Sequence, residues 1–368
     1  MIDKIYKFWN IKSEYIFGDE FTGYEDLYPE FDKHTTETYE RDPAGTIDAV
    51  FNLYRTRGIV PILYYTEAGL KNAVRNFSNK SYTKVDGDRL GLGNNAGQTI
   101  NRFIFTNMQT AEPKGRGSNS LKDRFFDDAK LKRAIRICFE FREGNKLCYP
   151  TAMRRSLELV TGENVTNFKA QNAKAIVERL CPVIWGTVYD YSCGYGGRLL
   201  GTTSSNMRYK YIGTDPNTET YHYLNYLNSI IGSNAEIHCE TSQDFQPQDI
   251  DLAFSSPPYF NLEKYSDEPT QCMVQFNTLD EWFEGYTVPT MRRIYDGLNS
   301  DGIFATNIAD YKTTKDEFKV VDRWISTAEK LGFKHKETIK MMLNTRPGVG
   351  NDKLAGREKF EGVYVFTK

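Results

Sequence analysis

The chain has 368 residues, of which 39% are hydrophobic and 26% charged, and its formal net charge is −2. These values predict one large or two ordinary globular domains and argue against global disorder. No stretch approaches the roughly 18–20 apolar residues of a membrane helix, and the first residues lack the pattern of a signal peptide. The six cysteines form no C-x-x-C pair. We therefore expect a reduced, cytoplasmic enzyme without a structural metal or a disulfide framework.

Charge is distributed unevenly along the chain. Residues 1–45 carry 11 acidic and 5 basic side chains, whereas residues 101–137 carry 9 basic and 4 acidic ones. A near-neutral total can therefore conceal one basic face. A solvated helix surface gives the same pattern, so charge alone does not identify a partner.

The first part of the chain is predicted to be a mainly helical domain over residues 1–150. Its first 40 residues are acidic, aromatic and irregular. In the helix that we predict from Ser120 to about Arg142, the expected core residues are Phe126, Leu131, Ile135 and Phe139. Residues 80–101 and 114–120 are predicted loops because they are rich in glycine and small polar residues. Apolar spacing predicts the other helices over residues 46–57, 66–77, 150–161 and 168–180.

From Gly186 onward, strand patterns alternate with helix patterns, which predicts a second domain over residues 151–368. This alternation is typical of an α/β fold with a doubly wound, mostly parallel sheet. The last two strands have no helix between them and are expected to form an antiparallel hairpin at one edge. The predicted strands cover residues 187–192, 209–213, 235–239, 250–254, 303–308, 336–344 and 363–367, and the predicted helices cover 198 onward, 220–231, 279–298 and 318–331.

A glycine-rich turn follows the first of these strands. Gly194 and Gly196 fit the start of G-x-G-x-x-G, but Leu199 stands where the third glycine of a dinucleotide site belongs. Asp190 precedes the turn, where a carboxylate can receive a cationic amine. This combination fits the amino-acid part of S-adenosylmethionine better than a pyrophosphate. A glycine-rich turn of this kind is also typical of tight packing alone.

Two further acids follow the next two predicted strands. Asp215 ends the second strand, 19 residues after Gly196, where an acid that binds ribose hydroxyls is expected. Asp244 follows the third strand and could meet an adenine amino group. Asp215 taken alone would equally suit a helix N-cap.

The fourth strand, residues 250–254, is stopped by the tetrapeptide Ser256-Pro257-Pro258-Tyr259. A hydroxyl, a rigid turn and an aromatic ring are thereby presented at the carboxyl edge of the sheet, where α/β proteins bind ligands. The hydroxyl and a prolyl carbonyl can accept hydrogen bonds from an exocyclic amine while the tyrosine stacks on its ring. The tetrapeptide therefore suits a flat, amine-bearing ring.

Together these motifs resemble the amino-group DNA methyltransferases, which methylate cytosine N4 or adenine N6. The resemblance covers roughly residues 186–368 and implies a class I methyltransferase-like domain that uses S-adenosylmethionine. It also implies that a segment before the first strand lines the cofactor pocket; Phe168 is our candidate, although a helix start with Phe168 in the core is an equal alternative. The residues to which the resemblance assigns cofactor contacts are Asp190, Ser192, Cys193, Gly194, Gly196, Asp215, Asp244 and Phe168.

The same resemblance implies a mechanism in which the target base is flipped out of the duplex. Tyr259 would stack on the base, while Ser256 and the carbonyl of Pro257 orient its amine beside the rigid Pro258. The family motif often begins with Asp or Asn, and Ser256 slightly favours cytosine N4 over adenine N6. No cysteine lies in this turn, which argues against carbon-5 methylation.

Duplex DNA is the expected partner, and its phosphates require basic contacts. Lys114, Arg116, Lys122 and Arg124 are the first candidates, and a C-terminal group of Arg346, Lys353, Arg357 and Lys359 is the second. A structural or solubility role for these residues is an alternative. The resemblance suggests a bacterial or phage enzyme and leaves a restriction partner open. Rival hypotheses are methylation of RNA or of a protein amide, and a non-catalytic DNA-binding subunit.

Overall fold

The structure, a computed structural model, describes residues 1–10, 28–80, 84–91, 95–113, 119–141, 147–161, 164–313, 316–343 and 359–368. The chain divides into two compact units. The first comprises Met1–Val74, Thr99–Thr166 and Glu263–Tyr265, and the second comprises Arg75–Gln98, Asn167–Leu262 and Ser266–Lys368. Residues 151–166, which the sequence analysis assigned to the second domain, thus lie with the first unit. No helix in the described ranges is long and apolar enough to cross a membrane.

The helices of the described residues are, in chain order, α1 (Ile2–Trp9), α2 (Tyr28–Phe31), α3 (Thr36–Arg41), α4 (Pro43–Arg57), α5 (Glu67–Ser78), α6 (Gln98–Ile104), α7 (Asn107–Thr110), α8 (Leu121–Phe126), α9 (Asp128–Glu140), α10 (Pro150–Thr161), α11 (Ala170–Leu180), α12 (Gly197–Thr203), α13 (Thr218–Ile231), α14 (Cys272–Gln275), α15 (Leu279–Trp282), α16 (Val288–Gly297) and α17 (Val321–Lys330). A π-helix, Phe283–Thr287, joins α15 to α16.

The strands are β1 (Val85–Asp86), β2 (Arg89–Leu90), β3 (Glu112–Pro113), β4 (Thr187–Asp190), β5 (Lys210–Thr214), β6 (Glu236–His238), β7 (Ile250–Ser255), β8 (Glu263–Lys264), β9 (Leu298–Ile308), β10 (Tyr311–Lys312), β11 (Glu317–Phe318), β12 (Lys334–Met342) and β13 (Phe360–Thr367).

The first unit consists mainly of helices, and the predicted helix from Ser120 to Arg142 is split there into α8 and α9. The side chain of Asp127 accepts a hydrogen bond from the amide of Lys130, so it caps a new helix. The break changes which residues face the core. Phe126 is 51% exposed, contrary to our prediction, and Phe125 is buried instead. Leu131, Ile135 and Phe139 are buried as predicted.

The second unit contains a sheet whose strand order is β1-β2-β12-β13-β9-β7-β4-β5-β6. Strands β6, β5, β4, β7 and β9 form a series in which each pairs in parallel with the next, whereas β13 is antiparallel to both β9 and β12. The predicted doubly wound sheet and the antiparallel pairing of its last two strands are thus confirmed, but β2 and β1 lie beyond β12, so this pair is not at the edge as predicted. The order reverses between β4 and β7, which makes their carboxyl ends the topological switch point.

Both faces of this sheet are covered, as its sequence pattern requires. Val188 and Leu252 pack into the core on one face, while the next residues, Tyr189 and Ala253, pack into the core on the other. Alternate side chains of a strand point to opposite faces. Apolar residues at consecutive positions are therefore explained by burial on both sides, which is typical of parallel sheets.

Two further predicted segments differ from the structure. The loop predicted over residues 80–101 contains β1, β2 and the start of α6, and β2 pairs in parallel with β12. A strand of two residues gives too short a pattern to detect, and its pairing partner is distant in sequence. The helix predicted over residues 279–298 is interrupted by the π-helix, just before Pro289. A proline has no amide hydrogen and cannot continue the regular ladder.

Candidate active site

The end of β4 holds Asp190 in a closed hydrogen-bond network. Its Oδ2 accepts hydrogen bonds from Arg198 Nε at 2.9 Å and from the hydroxyl of Tyr211 at 2.7 Å. Its Oδ1 accepts from Ser255 Oγ at 2.6 Å and from the amide of Ser192 at 3.3 Å. Asp190 is completely buried, so the ion pair with Arg198 compensates a charge that would otherwise be costly.

This network changes the role expected for Asp190. Four donors occupy the four lone-pair positions of a carboxylate. In this structure Asp190 therefore has no position left for a cationic amine, contrary to the direct contact predicted for it. The guanidinium of Arg198 also donates to the carbonyl of Ser192. The aspartate and arginine together fix the main chain where the glycine turn begins.

The backbone conformation at positions 194 and 196 favours glycine. Their φ angles are 53° and 69°, in the left-handed region where glycine is favoured. The nearest atom to a Cβ placed on Gly194 would be the carbonyl oxygen of Ser192, 3.9 Å away, so that side of the turn is open. Gly197 differs, because a Cβ there would overlap the main-chain carbonyl of Phe168. The motif thus combines an open turn with a glycine required by packing.

Asp215, at the end of β5, has fewer partners than Asp190. Its Oδ2 accepts a hydrogen bond from the amide of Gly194 at 2.8 Å, and its Oδ1 accepts from the amide of Asn217 at 3.0 Å. Burial raises the pKa of Asp215 to about 7, although the two amide hydrogen bonds oppose the shift. The negative charge of Asp190 acts in the same direction as burial and makes a smaller contribution to this value. A carboxylate of this kind can still accept hydrogen bonds from hydroxyl groups.

The other predicted cofactor residues lie around these turns. Phe168 packs edge-on against Phe254, with ring centroids 5.6 Å apart, and the guanidinium of Arg198 lies 5.5 Å from its ring. The segment before β4 thus reaches the glycine turn, where the neighbouring Asn167 donates from Nδ2 to the carbonyl of Tyr195 at 2.9 Å. Asp244 is exposed and accepts a hydrogen bond from Thr241.

Ser192 and Cys193 differ in accessibility. The hydroxyl of Ser192 donates to the carbonyl of Tyr191 at 2.6 Å and lies 3.0 Å from the hydroxyl of Tyr286. Cys193 is buried, and burial raises the pKa of its thiol well above the ordinary value. Its side chain packs against Gly213 of β5, where a Cβ would overlap the sulfur. The side chain of Cys193 therefore packs between the turn and β5, and only the main chain of Cys193 can face a ligand.

The tetrapeptide Ser256-Pro257-Pro258-Tyr259 continues directly from β7. Ser256 is half-buried, and its hydroxyl makes no hydrogen bond to another described residue. The hydroxyl of Tyr259 accepts a hydrogen bond from the amide of Ala309 at 3.1 Å, and its ring packs edge-on against Tyr311 with centroids 4.9 Å apart. Tyr259 is thus held in place at both its ring and its hydroxyl.

A segment after the tetrapeptide reaches the edge that carries Asp215. Both carboxylate oxygens of Glu268 accept from the amide of Thr218 at the start of α13, at 3.1 and 3.2 Å. The hydroxyl of Thr270 donates to the carbonyl of Pro216 at 3.4 Å. Glu268 and Thr270 therefore lie beside the predicted ribose site.

Sequence reasoning missed four residues that build this site: Arg198, Tyr211, Ser255 and Tyr286. Ser255 directly precedes the tetrapeptide, and its bond to Asp190 joins the ends of the two central strands. Tyr286 comes from the π-helix, an element that is rare and frequent at functional sites. The motif spacing gave no signal for Tyr211 or Tyr286. The only signal for Ser255 in the sequence is its position directly before Ser256.

The predicted DNA contacts fall into three groups. Arg124 is buried and donates from Nη1 to the carbonyl of Leu157 and to the side chains of Thr161 and Asn164. It is therefore a structural residue, contrary to our prediction of a surface phosphate contact. Lys122 lies 3.9 Å above the ring of Phe8, and Lys359 is exposed. The remaining candidates lie outside the described residues: Lys114, Arg116, Arg346, Lys353 and Arg357.

No family model and no curated protein matches this sequence. Solved structures with a similar chain trace include TrmN from Thermus thermophilus, with 15% identity over 53% of this chain and 48% of that chain and a TM-score of 0.35. A putative S-adenosylmethionine dependent methyltransferase from Listeria monocytogenes has 13% identity over 54% of this chain and 97% of that chain, with a TM-score of 0.36. A putative RNA methyltransferase PH1948 from Pyrococcus horikoshii has 15% identity over 54% and 82%, with a TM-score of 0.34.

The fold class follows from the strand order and direction of the chain itself. A parallel series β6-β5-β4-β7-β9 with β13 inserted antiparallel next to β12 defines a class I methyltransferase-like α/β fold. Its switch point carries the glycine turn on one side and the Ser-Pro-Pro-Tyr turn on the other.

Proposed function

We propose that the protein is an S-adenosylmethionine-dependent DNA methyltransferase that modifies the exocyclic amine of a flipped base, with cytosine N4 slightly favoured over adenine N6. The observation that carries the proposal is the 2.6 Å hydrogen bond from Ser255 to Asp190. It fixes the tetrapeptide that begins at Ser256 beside the glycine turn. This bond supports the proposal because it holds the glycine turn and the Ser-Pro-Pro-Tyr turn together at the switch point, where α/β sheets bind ligands.

The residues at the glycine turn fit S-adenosylmethionine. The open side of Gly194 leaves space for close approach of a ligand to the main chain. Asp215 can accept hydrogen bonds from ribose hydroxyls, and Asp190 with Arg198 holds the turn in shape. When bound, S-adenosylmethionine would supply a sulfonium methyl to the amine nitrogen; the C–S electron pair would stay on sulfur, and the proton of the methylated amine would pass to solvent water.

The tetrapeptide supplies the acceptor side of the reaction. Ser256 Oγ and the carbonyl of Pro257 would accept the two amine hydrogens, which directs the nitrogen lone pair away from the ring plane and toward the methyl group. The ring of Tyr259 would stack on the flipped base. Because Tyr259 is already fixed by Ala309 and Tyr311, little freedom is lost when the base binds. Alignment of this kind accounts for a large part of the rate in two-substrate reactions.

The experiment that tests the proposal is methyl transfer to nucleic acid. The protein is incubated with labelled S-adenosylmethionine and either duplex DNA or RNA, and the nucleosides are then identified by mass spectrometry. We expect label in N4-methylcytosine or N6-methyladenine from DNA, and roughly 10- to 100-fold less at short times with the Ser256→Ala variant. Label only in RNA, or cofactor binding without transfer to DNA, would refute the DNA assignment.

A further inference from the structure

Three arginines and one glutamate form a cluster in the first unit, which we call the arginine cluster: Arg102 from α6 and Arg154, Arg155 and Glu158 from α10. Arg154 Nε lies 3.2 Å, and Arg102 Nη2 3.7 Å, from Glu158 Oε1. Arg155 Nη1 lies 3.3 Å from Glu158 Oε2. Gln109 locks the arrangement by accepting from Arg154 Nη1 at 2.6 Å and donating to the carbonyl of Arg102.

Positive charge in the arginine cluster is not balanced. Three guanidinium groups meet one carboxylate, and Glu158 is the only acid within 4.0 Å of their nitrogens among the described residues. Burial and, to a smaller extent, the positive charge of Arg102 lower the pKa of Arg154 to about 9, against the opposing effect of Glu158. Uncompensated charge removed from water is unfavourable, so the cluster would be stabilised by an additional anion.

One donor of the cluster also remains unused. Arg102 Nε is buried and has no acceptor among the described residues, whereas Arg154 Nε is already paired with Glu158. Solvent can reach the cluster through Arg155, whose side chain is 56% exposed, and through the partly exposed side chain of Arg102. The cluster therefore combines surplus positive charge, an unused donor and an accessible side.

We propose that the arginine cluster binds a backbone phosphate of the DNA substrate, with Arg102 and Arg155 as the contacting residues and Arg154 as the positioning residue. The planar guanidinium group donates two parallel hydrogen bonds to phosphate oxygens, and a phosphate supplies the missing negative charge. This inference rests on the proposed function for the identity of the polymer. It assigns a DNA-binding role to the first unit. The arginine cluster replaces Arg124 as a phosphate contact, because the side chain of Arg124 is buried.

The test is the salt dependence of DNA binding by the Arg155→Gln variant of the full chain. Fluorescence anisotropy with a labelled duplex gives the dissociation constant at several salt concentrations. Each phosphate contact contributes about 0.9 to the slope of log K against log salt, so we expect the slope to become shallower by about that amount. Affinity at low salt should fall several-fold. The Arg155→Lys variant keeps the charge and should retain the slope while losing part of the affinity.

Arg41→Gln is the matched control, because Arg41 lies in the same unit, is 74% exposed and also pairs with a glutamate. The inference is overturned if Arg155→Gln and Arg41→Gln have equal slopes, or if the parent protein does not bind DNA. Methyl transfer is measured in parallel to separate the two proposals. Transfer to DNA with an unchanged Arg155→Gln slope refutes only the phosphate site. A reduced slope without any transfer supports the phosphate site and refutes the proposed function.

Discussion

Asp190 and Asp215 end neighbouring parallel strands, both are buried, and yet their surroundings differ in kind. Asp190 pairs with the guanidinium of Arg198 and accepts hydrogen bonds from two hydroxyls and an amide. Asp215 accepts only two main-chain amide hydrogen bonds among the described residues, and its pKa is raised to about 7, mainly by burial. The first carboxylate is occupied by the fold, whereas the second keeps capacity for a ligand.

This difference shows that strand-end position alone does not define a ligand contact. An acid at the carboxyl edge of a sheet is placed where ligands bind, but its side chain can be consumed by the structure. The count of hydrogen-bond partners separates the two cases. We therefore expect changes at Asp190 to affect mainly the stability of the fold, and changes at Asp215 to affect mainly cofactor binding.

The largest effect is expected for Asp190→Asn. The substitution leaves Arg198 buried without its countercharge, and breaking a buried pair in this way typically costs about 3–5 kcal/mol of unfolding free energy. Chemical denaturation followed by circular dichroism measures the loss. The Asp190→Asn, Arg198→Gln double variant should lose less than the sum of the two single variants, because the residues interact directly. An unchanged denaturation midpoint for Asp190→Asn would contradict a structural role for this carboxylate.

Ser255 and Ser256 differ in the same way, since Ser255 is bonded to Asp190 and Ser256 is proposed to contact the reacting amine. We expect Ser256→Ala to lower turnover roughly 10- to 100-fold, since it removes an acceptor for the reacting amine, with stability and cofactor affinity retained. Single-turnover methyl transfer and calorimetry measure these quantities. Ser255→Ala loses a buried hydrogen bond to Asp190 and should instead cost about 1–2 kcal/mol of unfolding free energy. Full turnover by Ser256→Ala would exclude the role proposed for this hydroxyl.

The strands and helices from Gly186 onward, and the class of sheet that they form, could be predicted because they depend on local patterns. Alternating apolar strands and amphipathic helices define a doubly wound sheet, and the absence of a helix between β12 and β13 defines their hairpin. The pair β1 and β2 was missed because two-residue strands carry no detectable period. Phe126 was assigned to the core in error because the cap at Asp127 begins a new helix, so the apolar spacing of one continuous helix does not apply across it.

The candidate site was predictable as a set of turns and much less as a set of contacts. The turns at Gly194, Asp215 and Ser256 follow from the residues that end strands. The partners of Asp190 come from three different elements, 8, 21 and 65 residues away. No local pattern connects residues at such separations. Whether an acid is free or occupied is therefore a property of tertiary structure, and the sequence alone could not distinguish Asp190 from Asp215.

A smaller effect concerns the pH dependence of cofactor binding. The pKa of Asp215 is raised from 3.8 to about 7, so this side chain becomes protonated as pH falls below 7. Hydroxyl groups of a ligand are best accepted by the ionised form. We therefore expect affinity for S-adenosylmethionine to fall, by at most about tenfold per pH unit, as pH decreases below 7 and to level off above it. Isothermal titration calorimetry from pH 5.5 to about 8.5 measures the profile.

Asp215→Asn is the control for this profile. Its affinity should be lower at pH 8 and nearly independent of pH. The stability of the parent should show the opposite sign, because a folded-state pKa above the unfolded value stabilises the fold at low pH, and that contribution is lost as pH rises through 7. Burial also raises the pKa of Glu263 to about 7, so this side chain titrates in the same pH range as Asp215. A pH profile of cofactor binding that persists in Asp215→Asn would assign the titration to another group and contradict the role of Asp215.

The smallest effect is expected for Gly194→Ala, with Gly232→Ala as its matched control. Both glycines have positive φ, 53° and 72°, and neither has an atom closer than 3.9 Å to an added Cβ. Each substitution should therefore cost about 1 kcal/mol of unfolding free energy through backbone strain alone. Gly232 ends α13, whereas Gly194 faces the proposed cofactor. Calorimetry should find weaker S-adenosylmethionine binding only for Gly194→Ala. Equal cofactor affinities of the two variants would mean that the open side of the glycine turn does not receive the ligand.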